Sequence, residues 1–185
     1  VTEFLPISSS GHLVLVPWLF QWESPGLAFD AMLHLGSLLA VVAFFWRDLR
    51  DLAFAGLASI KERSLGGDER RKVAWCVVLG SVPAAVLGFA FNDFFESLFG
   101  APVWAGALLL VTGVILALSE GYGRKTMDMY RIGWLDALVV GFGQALAIAP
   151  GISRSGATIG AGLWRGLRRE SAARFSFLLS VPVIF

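Results

Sequence analysis

Cysteine, charge and two-residue alternation are what this sequence has little of. Cys76 is the single cysteine in 185 residues, so no disulfide closes within the chain and a thiolate metal site is disfavoured; its apolar neighbours mark it as a small core residue. Charged residues make up 16% and the formal net charge is +1, with no basic run interleaved with aromatics, which argues against a nucleic-acid partner. No apolar segment alternates at period two, so a membrane β-barrel is excluded. No secretory leader with a cleavage site is visible, and insertion into a membrane falls to the apolar segments themselves. The chain opens on Val1 and stops at Phe185 inside an apolar run, so it reads as a fragment truncated at both ends.

What is present is hydrocarbon. Hydrophobic residues reach 56% and the mean hydropathy is +0.71, too apolar for an ordinary soluble domain. Apolar runs over 27–46, 73–91, 102–119 and 171–185 approach the ~20 residues that span a bilayer as helix. The tryptophans, Trp18, Trp22, Trp46, Trp75, Trp104, Trp134 and Trp164, fall mostly near segment ends, as interfacial anchors do. Of the 15 Lys and Arg residues, all but Arg154 fall in 47–72, 124–131 and 165–174, which the positive-inside bias places in the cytoplasm; 21–27 and 92–101 carry none and face outward.

Two polar strings interrupt this pattern. Ile7-Ser8-Ser9-Ser10-Gly11-His12 and Ile152-Ser153-Arg154-Ser155-Gly156-Ala157 align without a gap at an offset of 145. Each sits in a stretch broken by proline and glycine, which predicts two re-entrant helix-loop-helix hairpins, over 1–26 and 133–164, with tips buried in protein. Three spans separate them, so the second copy is expected upside down. The expected fold is a single all-α polytopic membrane domain, 1–185, built as an inverted-topology repeat. The first repeat is 1–132, and the second starts at 133 and is cut short in its span 171–185.

The tips carry the candidate chemistry. Arg154, the one cation outside the cytoplasmic stretches, requires an anion: its planar fork suits a phosphate, with Ser153, Ser155 and a helix N-terminus as further donors. The alternative is an internal ion pair with Glu3 or Asp136. His12 has an imidazole suited to acid–base work near neutral pH, beside Ser8, Ser9 and Ser10 as nucleophile or phosphate ligands, with Ser9 the preferred nucleophile. Glu3 either holds a hard divalent ion, acts as general base, or orients His12, unless it is simply exposed. Thr158 lies one turn beyond Arg154 and either binds phosphate or bonds back to its own helix. Gln144 and Asp136 rank lower. His34 reads as a hydrogen-bonded core residue, and Asp30, Asp93 and Glu96 as solvated at the outward edge.

Thr2-Glu3-Phe4-Leu5-Pro6-Ile7-Ser8-Ser9-Ser10-Gly11-His12, Phe29-Asp30-Ala31-Met32-Leu33-His34-Leu35-Gly36 and Pro150-Gly151-Ile152-Ser153-Arg154-Ser155-Gly156-Ala157-Thr158 closely resemble the undecaprenyl-diphosphate phosphatases of the bacitracin-resistance type. The resemblance implies a multi-pass enzyme of the bacterial inner membrane, its site facing the periplasm, which removes the terminal phosphate from a polyprenyl diphosphate and recycles the carrier for wall synthesis. It also implies a magnesium or calcium ion. It places the second acidic residue of a Glu-x-x-x-Glu element on Glu3, the hydroxyl cluster on Ser8 and Ser9, the catalytic histidine on His12, and the phosphate-binding set on Ser153, Arg154 and Thr158. Inverted repeats with broken helices are equally a transporter signature, so a transporter or flippase of a lipid-linked or small phosphate-bearing anion is the rival reading. Homodimerisation is left open.

Overall fold

The apolar runs fold as helices, the structure in which every backbone polar group is satisfied within its own segment. A computed structural model describes residues 2–23 and 26–184. Val1 and Phe185, the outer bounds of the expected domain, first hairpin and last span, lie outside the described residues, as do Ser24 and Pro25 in that hairpin. In chain order the helices are α1 (Ser9–Phe20), α2 (Leu27–Phe44), α3 (Trp46–Glu62), α4 (Glu69–Ala90), α5 (Asn92–Phe99), α6 (Pro102–Tyr122), α7 (Trp134–Leu146), α8 (Arg154–Trp164) and α9 (Arg169–Ile184). Among the described residues the one β feature is an isolated bridge between Met127 and Leu167.

Helices α4 and α6, with 22 and 21 residues, are each long and apolar enough to cross a membrane. The pair α2 and α3 passes the same test only together and is bent by 77°. The cation-rich stretch 47–72, expected as a loop, therefore contains a helix. Leu52, Ala55 and Ser59 of α3 are buried at helical spacing, and Trp75 of α4 donates to the Ser59 hydroxyl at 2.8 Å. The other six tryptophans are exposed, as expected of interfacial residues. Likewise α5 occupies most of the segment expected as an outward loop.

Phe175, Leu178 and Leu179 of α9 pack with Val73 and Cys76 of α4 and Val140 of α7 in the main core, joined by Ile132 and Leu167. Helices α4 and α7 cross at backbone distance: a Cβ on Gly141 would lie 2.3 Å from the Gly80 carbonyl oxygen. Small residues permit such approach where hydrocarbon supplies no driving force between helices. Ion pairs tie down the cation-rich parts, Arg174 to Asp48 at 2.5 Å and Arg165 to Asp136 at 2.6 Å. In the second predicted hairpin, the short apolar helix α7 and the polar-tipped α8 flank a break at 147–153; in the first, turns over 2–6 lead into α1. The tip of α8 packs on α6, as does α1, so both polar strings are brought to one scaffold helix.

Candidate functional site

Each polar string builds the start of a helix in the same way. Ser8 is the N-cap of α1 and its Oγ accepts from the Gly11 N–H at 3.2 Å; Ser153 caps α8 and accepts from the Gly156 N–H at 3.1 Å. In each, the capping hydroxyl also lies beside the hydroxyl two residues on, Ser8 to Ser10 at 3.3 Å and Ser153 to Ser155 at 3.2 Å. The serines at the two caps are thus committed to backbone donors, the local bonding that serines favour over helix interiors.

The residues between these paired hydroxyls, Ser9 and Arg154, occupy the first position of their helices. Both reach Glu3. The Ser9 hydroxyl donates to Oε2, and Arg154 Nη2 donates to Oε1 at 3.1 Å. The ion-pair alternative for Arg154 is therefore realised with Glu3, while Asp136 bonds Arg165 and the Gly133 N–H instead. Glu3 is not the exposed terminal residue its position allowed: its side chain is 13% accessible and that of Arg154 22%. Among the described residues the Arg154 guanidinium bonds only Glu3, which leaves most of its five donors open.

Around this trio lies a cavity of about 320 Å³, lined by Glu3, Ser8, Ser9, Ser10, Asp30, His34, Ser153 and Arg154, with Leu13, Phe99, Ile148 and Ile152 among its apolar walls. That is the lower end of the size range of small-ligand sites. The first turns of α1 and α8 both border it. The positive ends of two helix dipoles therefore lie beside the same space, an arrangement suited to an anion.

Three expected residues sit elsewhere. Thr158 is fully buried and donates to the Arg154 carbonyl at 2.7 Å, with Ser176 Oγ 2.5 Å away, so it bonds back to its own helix and braces α8 against α9 rather than meeting a ligand. Ser155 donates to the Leu5 carbonyl at 3.2 Å and pins one tip to the other. His12 does not line the cavity. Its Nδ1 donates to the carbonyl of Ser8 at 2.6 Å, one turn back on its own helix.

Three residues here were read otherwise or missed. Asp30 lines the cavity instead of standing in solvent, and its Oδ1 is buried without a hydrogen-bond partner among the described residues. His34 lies with Nε2 3.3 Å from Glu3 Oε1. Thr112 of α6 donates to the Gly151 carbonyl at 3.1 Å and accepts from the Ser153 N–H at 3.0 Å, clasping the second tip. Contacts of this length, from residues far apart in the chain, leave no trace in local periodicity. A lone polar residue in an apolar run, which each of these is, was the available signal.

For the divalent cation, the donor set is the test. Among the described residues no three of His, Cys, Asp and Glu come together to hold a metal ion, and both oxygens of Glu3 are already bonded. The described residues do not by themselves assemble a metal site.

Comparison with known proteins bears on the whole chain. The sequence profile described as Bacitracin resistance protein BacA matches residues 1–185. The protein named undecaprenyl-diphosphatase from Thermomicrobium roseum is 49% identical over 193 residues, covering 99% of this chain and 68% of that protein. Its namesakes from Moorella thermoacetica and Desulforudis audaxviator are 47% and 48% identical, each over 100% of this chain and 68% and 69% of their own lengths.

Proposed function

This chain belongs to the bacitracin resistance protein BacA family, and from that premise we propose that it is an undecaprenyl-diphosphatase that works through Ser9, Glu3 and Arg154. It is a multi-pass membrane enzyme that hydrolyses undecaprenyl diphosphate to undecaprenyl phosphate and inorganic phosphate, returning the carrier lipid to wall synthesis. The observation that carries the residue assignment is the convergence of Ser9 and Arg154 on the two oxygens of one part-buried carboxylate at the wall of the cavity.

The terminal phosphate enters between the two helix N-termini, where open Arg154 donors and first-turn N–H groups meet its oxygens. Ser9 Oγ attacks phosphorus in line and passes its proton to Glu3 Oε2. The bond to the bridging oxygen breaks, undecaprenyl phosphate departs with the bonding pair, and Glu3 gives up the proton to the departing phosphate, which leaves it a carboxylate again. Water then attacks the phosphoserine with Glu3 as base, releasing phosphate and restoring the Ser9 hydroxyl. Charge on the equatorial oxygens is neutralised by groups already in place, the largest usual contribution to such a reaction.

Two openings fit the two ends of the substrate. A groove of about 430 Å³ lined by Trp18, Trp22, Glu96 and Pro102 shares Leu13, Asp30 and Phe99 with the site. It lies by the segments without Lys or Arg, which supports a site that opens to the periplasmic side of the inner membrane. An apolar groove of about 340 Å³ lined by Phe4, Phe44, Phe45 and Phe177 meets the site through a constriction that Phe4 and Phe177 share with Glu3 and Arg154. The polyprenyl tail lies there, bordered by lipid.

The test is phosphate release from undecaprenyl diphosphate by the full-length protein beside its Ser9→Ala variant, with radiolabelled substrate to trap the phosphoserine. Turnover should fall by at least about 10³-fold and the labelled intermediate should vanish in the variant. Persisting turnover without Ser9 would move the attack to water.

A further inference from the structure

The step above uses Glu3 and Ser9 and leaves His34 without a task, although His34 is part of the cavity wall. It is one of only two ionisable residues on α2, and both, Asp30 and His34, line the cavity. Its ring is fixed at both nitrogens. Nδ1 lies 2.7 Å from the Asp30 carbonyl one turn back, and a carbonyl only accepts, so Nδ1 carries a proton and donates it. That leaves Nε2 facing Glu3 Oε1 at 3.3 Å. The contact is attractive only with a proton held between the two groups.

We propose that His34 is a positioning residue for the phosphatase step, holding Glu3 Oε1 so that Oε2 stays on the Ser9 hydroxyl. A carboxylate turns readily about its terminal torsion, which is broad and roughly two-fold. In the free site two groups anchor Oε1, Arg154 at 3.1 Å and His34 at 3.3 Å. They stop being equivalent once substrate binds, because the guanidinium fork then turns its donors to the phosphate. Among the described residues His34 Nε2 meets only Glu3, and with Nδ1 tied to α2 it remains the anchor while Ser9 loses its proton. Its effect therefore falls on the chemical step and not on substrate binding. This rests on the reading of Ser9 as the nucleophile and Glu3 as its base.

Two amide substitutions separate this role from a structural one. Asn places its side-chain nitrogen near the position of Nδ1 and keeps the bond along α2 but falls short of Glu3; Gln extends to the position of Nε2 and can donate to Oε1. In the full-length protein, His34→Asn should lower kcat by about 10- to 100-fold with KM changed less than about threefold, as misplacement of a reacting group does. His34→Gln should recover most of that loss. Wild-type kcat in His34→Asn, or equal loss in both variants, would overturn the proposal. A second readout needs no turnover. In protein labelled with ¹⁵N-histidine, the His34 Nε2 resonance, assigned by its loss in His34→Gln, should shift on Glu3→Gln while the His12 signals stay. An unmoved His34 resonance refutes the contact. Absent phosphate release from the wild type would fail the hydrolase reading instead, and the resonance would still decide whether His34 holds Glu3.

Discussion

The two tips share a backbone device and differ in what they do with it. At equivalent places, 145 residues apart, Ser8 and Ser153 cap their helices and Gly11 and Gly156 donate to the caps. Ser9 and Arg154 take the same first helical position, and each bonds one oxygen of Glu3. One tip presents a hydroxyl and the other a cation. They differ as well in how firmly they are held. The second is buried from Pro150 to Ser153 and clasped by Thr112, with Ser153 in ordinary extended backbone at φ −71. The first has Ser8 at φ +62, a region that costs a non-glycine residue about 1–3 kcal/mol. In the proposed mechanism, the half that clamps the anion is thus the buried, clasped one and the half that delivers the nucleophile is the strained one.

The sharpest way to break this division is at Arg154. Arg154→Lys keeps the charge but replaces a planar fork with a point charge, and one ammonium cannot both pair with Glu3 and grip a phosphate in two directions. Turnover of undecaprenyl diphosphate should fall by about 10²–10³-fold, the scale on which loss of one preorganised donor acts in such sites. A lysine variant within threefold of wild type would show that the second tip contributes charge and not geometry.

Rigidity of the second tip is tested next. Gly151 has φ +99, and a Cβ there would lie 2.2 Å from the carbonyl oxygen of Ala105 on α6. Gly151→Ala should therefore cost about 3 kcal/mol or more, read as a loss of thermal stability in detergent. Thr112→Val is milder. It leaves the Ser153 N–H and one acceptor site on the Gly151 carbonyl unpaired in a buried place, a cost of about 1–3 kcal/mol. Both variants should lose stability together with substrate affinity, since the clasp is what holds Arg154 in register. If Thr112→Val lost activity at full stability, Thr112 would belong to the site itself.

The sequence carried the fold wherever apolar length decided it. The runs starting near 73 and 102 are α4 and α6, and the broken stretch 133–164 is α7, a turn and α8. It carried the tips as well, because hydroxyls, glycine and arginine in a hydrocarbon-rich chain are costly enough to stand out. Helix α3 escaped because its charges masked an amphipathic face: Leu52, Ala55 and Ser59 point inward while the cations do not. The partners of the site were less legible still. Both histidines bond their own helix four residues back, so the local backbone does not separate them as partners for Glu3. Which of them meets the carboxylate is set by how α2 and α1 pack, and no local pattern encodes that. Proximity to the serines favoured His12; packing selects His34.

His12 marks the smallest difference between the tips. Its equivalent in the second tip is Ala157, whose N–H donates to the Ser153 carbonyl at 2.7 Å; the His12 N–H makes the same bond to Ser8 at a longer 3.2 Å. The ring makes up the deficit, with Nδ1 donating to that same carbonyl at 2.6 Å. His12 thus holds the strained Ser8 backbone from which Ser9 projects, and if that is its whole role it should be replaceable by any side chain that donates at the Nδ1 position. His12→Asn should keep kcat within about threefold of wild type and His12→Ala should lower it by about tenfold, the cost of one lost hydrogen bond of about 1 kcal/mol or slightly more at the tip. Equal and severe loss in both variants would instead require the imidazole itself, and would bring His12 back as a proton carrier in the reacting complex.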